Sequence, residues 1–201
     1  MNAKYLHFPL LFHVIISTMI TSLIVATSKD GFIARDKDKD PSTTWTSHED
    51  KKRFVELSKK IGTIILGLNT FNTFPKDEQG NSKPLKGRHH IIYADRDITQ
   101  HPDVEATMDK PDILLKKLND RGIKEVAICG GASVYKMFLD ANLIDNIYMT
   151  VEPIEFGSGI PFFKGNIEEK FKLVKEETVG NGTIFKEYKR NKIYKSAFYL
   201  K

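Results

Sequence analysis

"KEVAICGGASVYKMF", residues 124–138, sets two glycines, Gly130 and Gly131, where a buried strand ends and a helix begins. A strand that feeds a helix directly is the building unit of an α/β fold. Bare Cα atoms at such a turn let a ligand approach the backbone, and the free amides of the helix start can hold a phosphate. The spacing is not GxGxxG, and glycine also serves such turns for geometry alone, so both uses stay open. "TIILGLNTF", residues 63–71, repeats the arrangement with a strand, Gly67 and a short helix that has Thr70 near its start. Two such turns can grip the two ends of a dinucleotide.

Working outward, strand-like runs alternate with helical ones, and no internal repeat or low-complexity segment interrupts them. Strands are expected near 20–26, 62–66, 89–94, 104–107, 124–129, 145–152, 170–179 and 183–190. Helices are expected near 47–60, 111–121 and 132–140, with a short one near 69–74. "DKPDILLKKLNDRG" carries Pro111 near its helix start and Gly122 just past its end. "KLVKEETVGNGTIFKEYKR" reads as two alternating strands about a Gly-Asn-Gly turn. The expected architecture is a mostly parallel α/β sheet closed by an antiparallel hairpin.

The stretch "WTSHEDKKRF", residues 45–54, contains an acid in an expensive place. Asp50 stands at i relative to Phe54 at i+4 and Leu57 at i+7, so a carboxylate lies on the apolar face of the helix. Ser47 with Asp50 is one capping register, and Thr46 with Glu49 fits the capping box better, which leaves Asp50 unexplained. Acids are also common in first helical turns for dipole reasons. The functional alternative is a buried carboxyl whose pKa is raised.

The 201 residues fit one domain with tails and can bury a substantial core. Net charge is +5, yet the lysines interleave with acids in "RDKDKD", "EDKKR" and "KFKLVKEE", which reads as a solvated surface and argues against a nucleic-acid partner. One cysteine, Cys129, excludes an intramolecular disulfide framework and a multi-cysteine metal site. The six histidines lack HExxH spacing, so no metal is expected, and a reducing, cytoplasmic setting fits. Residues 1–18 begin an apolar run that is a poor signal peptide or membrane span, interrupted by His7, Pro9 and His13. They are expected to be an appendage or an over-extended start, with membrane association only if they act as an anchor. The folded domain is expected over 19–190, and 191–201 as a polar tail.

In order along the chain, six segments resemble the dihydrofolate reductase family and its relatives, the riboflavin-pathway pyrimidine reductases. "SLIVATSKDGFIA" is similar to the first strand and the start of the mobile active-site loop, and "WTSHEDKKRF" to the tryptophan and acid of the pterin site. "TIILGLNTF" is similar to the G-R-x-T segment and "LKGRHHIIY" to L-x-G-R. "CGGASVY" matches G-G-x-x-x-Y, and "IYMT" the strand whose threonine supports the acid. The resemblance covers about residues 19–190. It implies a three-layer fold with a mostly parallel, mixed eight-stranded sheet, helices on both faces and a C-terminal antiparallel hairpin.

The resemblance also implies roles. Asp50 would hold the 2-amino group and N3 of a pterin, with Thr150 behind it and Trp45 ordering a water; protonation of N5 through water under the influence of Asp50 accompanies hydride transfer to C6. Ala26, Ile33, Phe54, Leu85 and Cys129 would line the substrate, and Arg88 would pair with its glutamate carboxylate. Gly67, Thr70, Arg96, Gly130, Gly131, Ala132, Ser133 and Tyr135 would hold NADPH, the Gly130–Gly131 peptide being cis in this family. Three departures stand out. Leu68 replaces the G-R-x-T arginine, Lys51 follows Asp50 where an apolar residue is common, and the loop between Ala34 and Trp45 is longer and more charged. "FGSGIPFF", residues 156–163, is closer to the pyrimidine-reductase branch. The first expectation is reduction of 7,8-dihydrofolate to tetrahydrofolate. Reduction of a ribosylaminopyrimidine phosphate in riboflavin synthesis is the alternative, followed by a nucleotide-binding relative without catalysis.

Overall fold

The computed structural model describes residues 19–35, 44–96, 98 and 101–191; the expected appendage, 1–18, and nearly all of the expected tail lie outside them. In chain order the elements are β1 (Ile20–Ser28), β2 (Phe32–Ala34), α1 (His48–Ile61), β3 (Thr63–Gly67), α2 (Leu68–Phe71), β4 (His89–Tyr93), β5 (Val104–Thr107), α3 (Pro111–Asp120), β6 (Glu125–Ile128), α4 (Ala132–Asp140), β7 (Asn146–Glu152), β8 (Ile160–Pro161), a 3₁₀ turn (Ile167–Glu169), β9 (Phe171–Val179) and β10 (Thr183–Arg190). One eight-stranded sheet runs β5-β4-β3-β6-β1-β7-β10-β9. The pairs from β5 through β7 are parallel, and β10 is antiparallel to both of its neighbours.

The parallel strands are apolar almost without a break because both of their faces are covered. Leu23, Val25, Ile65, Ile91, Val126 and Ile128 point to the side of α3 and α4. Ile24, Ile64, Leu66, Ile92 and Ala127 alternate to the other side, against Phe54, Leu57 and Ile61 of α1 and Phe71 of α2. The helices of the three layers therefore sit as expected. α3 starts with Pro111 in its first turn, and α1 stops at Gly62, whose φ of 85° suits glycine.

Two details differ from the expectations. The short helix occupies 68–71 rather than 69–74. A second sheet, in which β2 pairs antiparallel with β8, has no counterpart in the sequence reading, because strands of three and two residues are too short to show alternation. Gly159 makes the pairing possible, since a Cβ there would lie 2.3 Å from the Ala34 carbonyl oxygen. Asp30 ties the same two loops together, its carboxylate accepting from Ser28 Oγ (2.6 Å) and from the amides of Phe156 and Gly157.

Candidate active site

The C-terminal ends of β1, β3, β6 and β7 open on one edge of the sheet, where open α/β sheets bind ligands. Asp50 reaches this edge from the first turn of α1. Ser47 is the N-cap, and its Oγ accepts from the Asp50 amide at 3.1 Å, so the register is Ser47–Asp50 rather than the expected Thr46–Glu49. The Asp50 carboxyl is not used in the cap. It turns inward, accepting from the hydroxyls of Thr150 and Thr46, and burial pushes its pKa up; the two threonines pull it down, Glu152 pushes it up and Arg53 pulls it down. Thr150 is itself buried and lies across the strand register from Ala26 on one side and Phe185 on the other. Paired residues share a face, so Ala26 and Thr150 form the floor under Asp50.

Of the expected substrate residues, Phe54, Leu85, Arg88 and Cys129 join Ala26 on this face, and Ile33 does not. Phe54 and Leu85 pack against the cluster that contains Cys129. The Cys129 thiol is buried, and burial pushes its pKa up. Leu85 is held by a residue the sequence reading passed over as a metal ligand: its amide donates to Nε2 of the fully buried His90 at 3.0 Å. The proton then belongs on Nδ1, which faces the Asp103 carbonyl at 3.3 Å. Arg88 is buried and donates from Nε to Ser58 Oγ, from one terminal nitrogen to the Lys86 carbonyl and from the other to the Val55 carbonyl. All three acceptors are neutral. A guanidinium has five N–H groups, so one remains on each terminal nitrogen, a spacing suited to two oxygens of an anion. Trp45 is half-buried and meets Phe156 edge-on at 5.1 Å, while Ile33 of β2 packs on the opposite core cluster.

The two glycine turns meet. The Gly67 amide donates to the Gly130 carbonyl at 2.7 Å, and a Cβ on Gly131 would lie 3.0 Å from Thr70 Oγ1. The Gly130–Gly131 peptide is cis. Gly131 is the N-cap of α4 and brings no capping side chain, which leaves the first-turn amides at Ala132 and Ser133 facing the edge. This cradle fits a dinucleotide phosphate. The Tyr135 hydroxyl instead donates to the Ile24 carbonyl at 2.7 Å, beneath Gly130, so the side chain braces the glycine turn against β1. Arg96 borders a cleft of about 950 Å³ with Leu68, the residue that follows Gly67 of the first glycine turn, and with Lys76, Lys83, Lys86 and His101.

Glu152 was missed. It ends β7 nearly buried, bonded to Ser47 and Thr183. The signal was present, because Thr150 and Glu152 are two apart in a strand and so face the same way, setting a second acid on an interior face. Among the described residues no group of three or more metal-ligating side chains occurs, and no helix is long and apolar enough to cross a membrane.

The model of the RibD C-terminal domain matches residues 18–185. A dihydrofolate reductase of Aedes albopictus is 29% identical over 169 residues, covering 78% of this chain and 84% of the relative. An uncharacterized Bacillus subtilis (strain 168) protein is 25% identical over 176 residues, 81% of this chain and 90% of the relative. Among solved structures, a diaminohydroxyphosphoribosylaminopyrimidine deaminase/5-amino-6-(5-phosphoribosylamino)uracil reductase from Thermotoga maritima superposes with a TM-score of 0.65 at 18% identity. That superposition covers 86% of this chain and 57% of the other, and it establishes the fold. With the sheet order, the helices on both faces and a family match across nearly the whole described region, this chain belongs to the RibD C-terminal domain family, a reductase-like family with the dihydrofolate reductase fold.

Proposed function

We propose that the chain is an NADPH-dependent reductase of a ribosylaminopyrimidine phosphate, whose aminopyrimidine ring the site holds. The observation that carries the reading is Asp50: an inward-facing carboxyl on two threonines, with no cation bonded to it among the described residues, is built to accept from a neighbouring N–H pair on a ligand. A 2-amino group and an adjacent ring N–H supply that pair. Arg88 supports an anionic substituent, since its two remaining N–H groups match phosphate oxygens as well as a carboxylate. The family and its solved relatives favour the ribosylaminopyrimidine over the folate.

When bound at the glycine turns, NADPH would supply hydride to the carbon of a C=N bond, which in a ribosylaminopyrimidine is the C1′=N imine formed when the sugar ring opens. Gly67, Gly130 and Gly131 let its backbone-facing groups come close, and the amides of Ala132 and Ser133 hold phosphate oxygens. Phe54 and Leu85 exclude water from the ring, and Ala26 leaves room for it above the sheet. The nitrogen of the C=N bond needs one proton for each hydride. Asp50, whose pKa burial raises, retains its proton to higher pH than a free carboxyl and passes it on through water.

Dihydrofolate is the second reading. The Trp45, Asp50 and Thr150 set and the mosquito relative favour it, and its glutamate takes the place of the phosphate at Arg88. Loss of NADPH absorbance with each substrate separates the two. Faster consumption with the ribosylaminopyrimidine phosphate is expected; turnover of dihydrofolate alone reverses the order, and turnover of neither leaves a binding protein.

A further inference from the structure

We propose that Glu152 is the positioning residue that fixes Asp50 in the site, by fastening the first turn of α1 to β7 and β10. The proposal rests on the reading that Asp50 holds the substrate ring. Glu152 is 3% exposed. Its Oε1 accepts from the Ser47 amide and from Ser47 Oγ, both at 2.8 Å, and its Oε2 accepts from Thr183 Oγ1 at 2.7 Å. Ser47 Oγ in turn accepts from the Asp50 amide at 3.1 Å. A continuous chain of hydrogen bonds therefore runs from Thr183 of β10 through Glu152 and Ser47 to the backbone of Asp50. Two residues earlier on the same face of β7, Thr150 holds the Asp50 carboxyl. The strand thus grips the residue twice, once by its backbone and once by its side chain.

Packing alone does not call for an acid here. A buried carboxylate is costly unless it is paired, and an apolar side chain of similar size commonly fills such a position at no loss of stability. Three donors satisfy this one, so the fold holds the charge beside Asp50 rather than expelling it. There it acts with burial to favour the protonated form of Asp50. Arg53 of α1 acts in the opposite sense, though Glu187 of β10, at 3.6 Å, offsets part of its charge. Tyr135 of α4, held neutral by burial, is the titratable group nearby from the opposite face of the sheet. Glu49, on the same turn of α1, lies toward Gly180.

The test is a carbon-detected NMR titration of the Asp50 carboxyl in the full chain, assigned by its loss in Asp50→Asn, for the wild type and Glu152→Gln. The glutamine keeps an oxygen for Ser47 and an NH₂ for Thr183 while removing the charge. Glu152→Gln is expected to fold as the wild type, with Asp50 titrating at lower pH and the pH profile of turnover moving the same way. Glu152→Ala, which removes the acceptors, is expected to lose roughly 10- to 100-fold in turnover through misplacement of Asp50, with the KM for NADPH unchanged. Glutamine recovers most of that loss. Identical Asp50 titrations in wild type and Glu152→Gln overturn the proposal even if Glu152→Ala fails to fold. The titration needs no substrate, so a wild type that reduces nothing defeats the functional reading while the titration still decides the role of Glu152.

Discussion

At Asp50 the backbone and the side chain answer to different partners: the amide completes the cap on Ser47, and the carboxyl turns to Thr150 and Thr46. Asparagine keeps the amide and the size of the side chain but not the titration. A group whose folded pKa is raised stabilises the fold fully below its unfolded pKa, and that contribution is lost as pH rises through the folded value. Asp50→Asn is therefore expected to melt higher than the wild type at neutral pH, an advantage that vanishes in acid; equal melting temperatures at neutral pH would show that burial does not strain the carboxyl. His90 works with the opposite sign. Burial lowers its pKa, so its contribution is complete above the ordinary value of 6.5 and is lost as pH falls through the lowered one, when protonated Nε2 can no longer accept from Leu85. Hydrogen exchange at the Leu85 amide is expected to quicken in that acid window. At Arg88, lysine offers no fork for two oxygens, and charged hydrogen bonds contribute about 1.5–3 kcal/mol, so Arg88→Lys is expected to raise the substrate KM roughly 10- to 100-fold with little change for NADPH. Equal changes in both constants would mean that the arginine only clamps Val55 and Ser58.

The elements that bury a regular apolar pattern were legible in the sequence, and those that depend on a single close contact were not. β3, β6 and α4 follow from apolar runs ended by glycine, and the β9–β10 hairpin follows from Gly-Asn-Gly, where Gly180 and Gly182 take φ of 51° and 95°. The small sheet of β2 and β8 was invisible because its pairing turns on Gly159 meeting Ala34, a contact across more than a hundred residues. Gly159→Ala is expected to destabilise the chain by about 1–3 kcal/mol through overpacking and to quicken proteolysis near 28–35, as read by thermal melts and limited digestion. Resistance equal to the wild type would show that the loops adjust. At the candidate site, Asp50 and the glycine turns were proposed from sequence, whereas His90 and Glu152 were not. Each of these works through a partner distant in the chain, and a lone histidine or acid does not announce its partner.

Across the whole molecule, the parallel strands bring two requirements of a reductase to one edge: a glycine cradle from β3–α2 and β6–α4, and an acid from α1 standing over β1 and β7. The described fold begins at Met19, which is buried in the core. A chain lacking residues 1–18 is expected to keep its melting temperature and its turnover, and a fall in either would place those residues in the core. The central claim is that Asp50 couples ring binding to proton delivery, and the turnover of Asp50→Asn tests it most directly. With NADPH and the better of the two substrates at neutral pH, the variant is expected to fold and bind NADPH as the wild type does, to lose roughly 10²-fold in turnover, and to recover part of it as pH falls and solvent supplies the proton. Undiminished turnover in the asparagine variant at neutral pH would contradict the account.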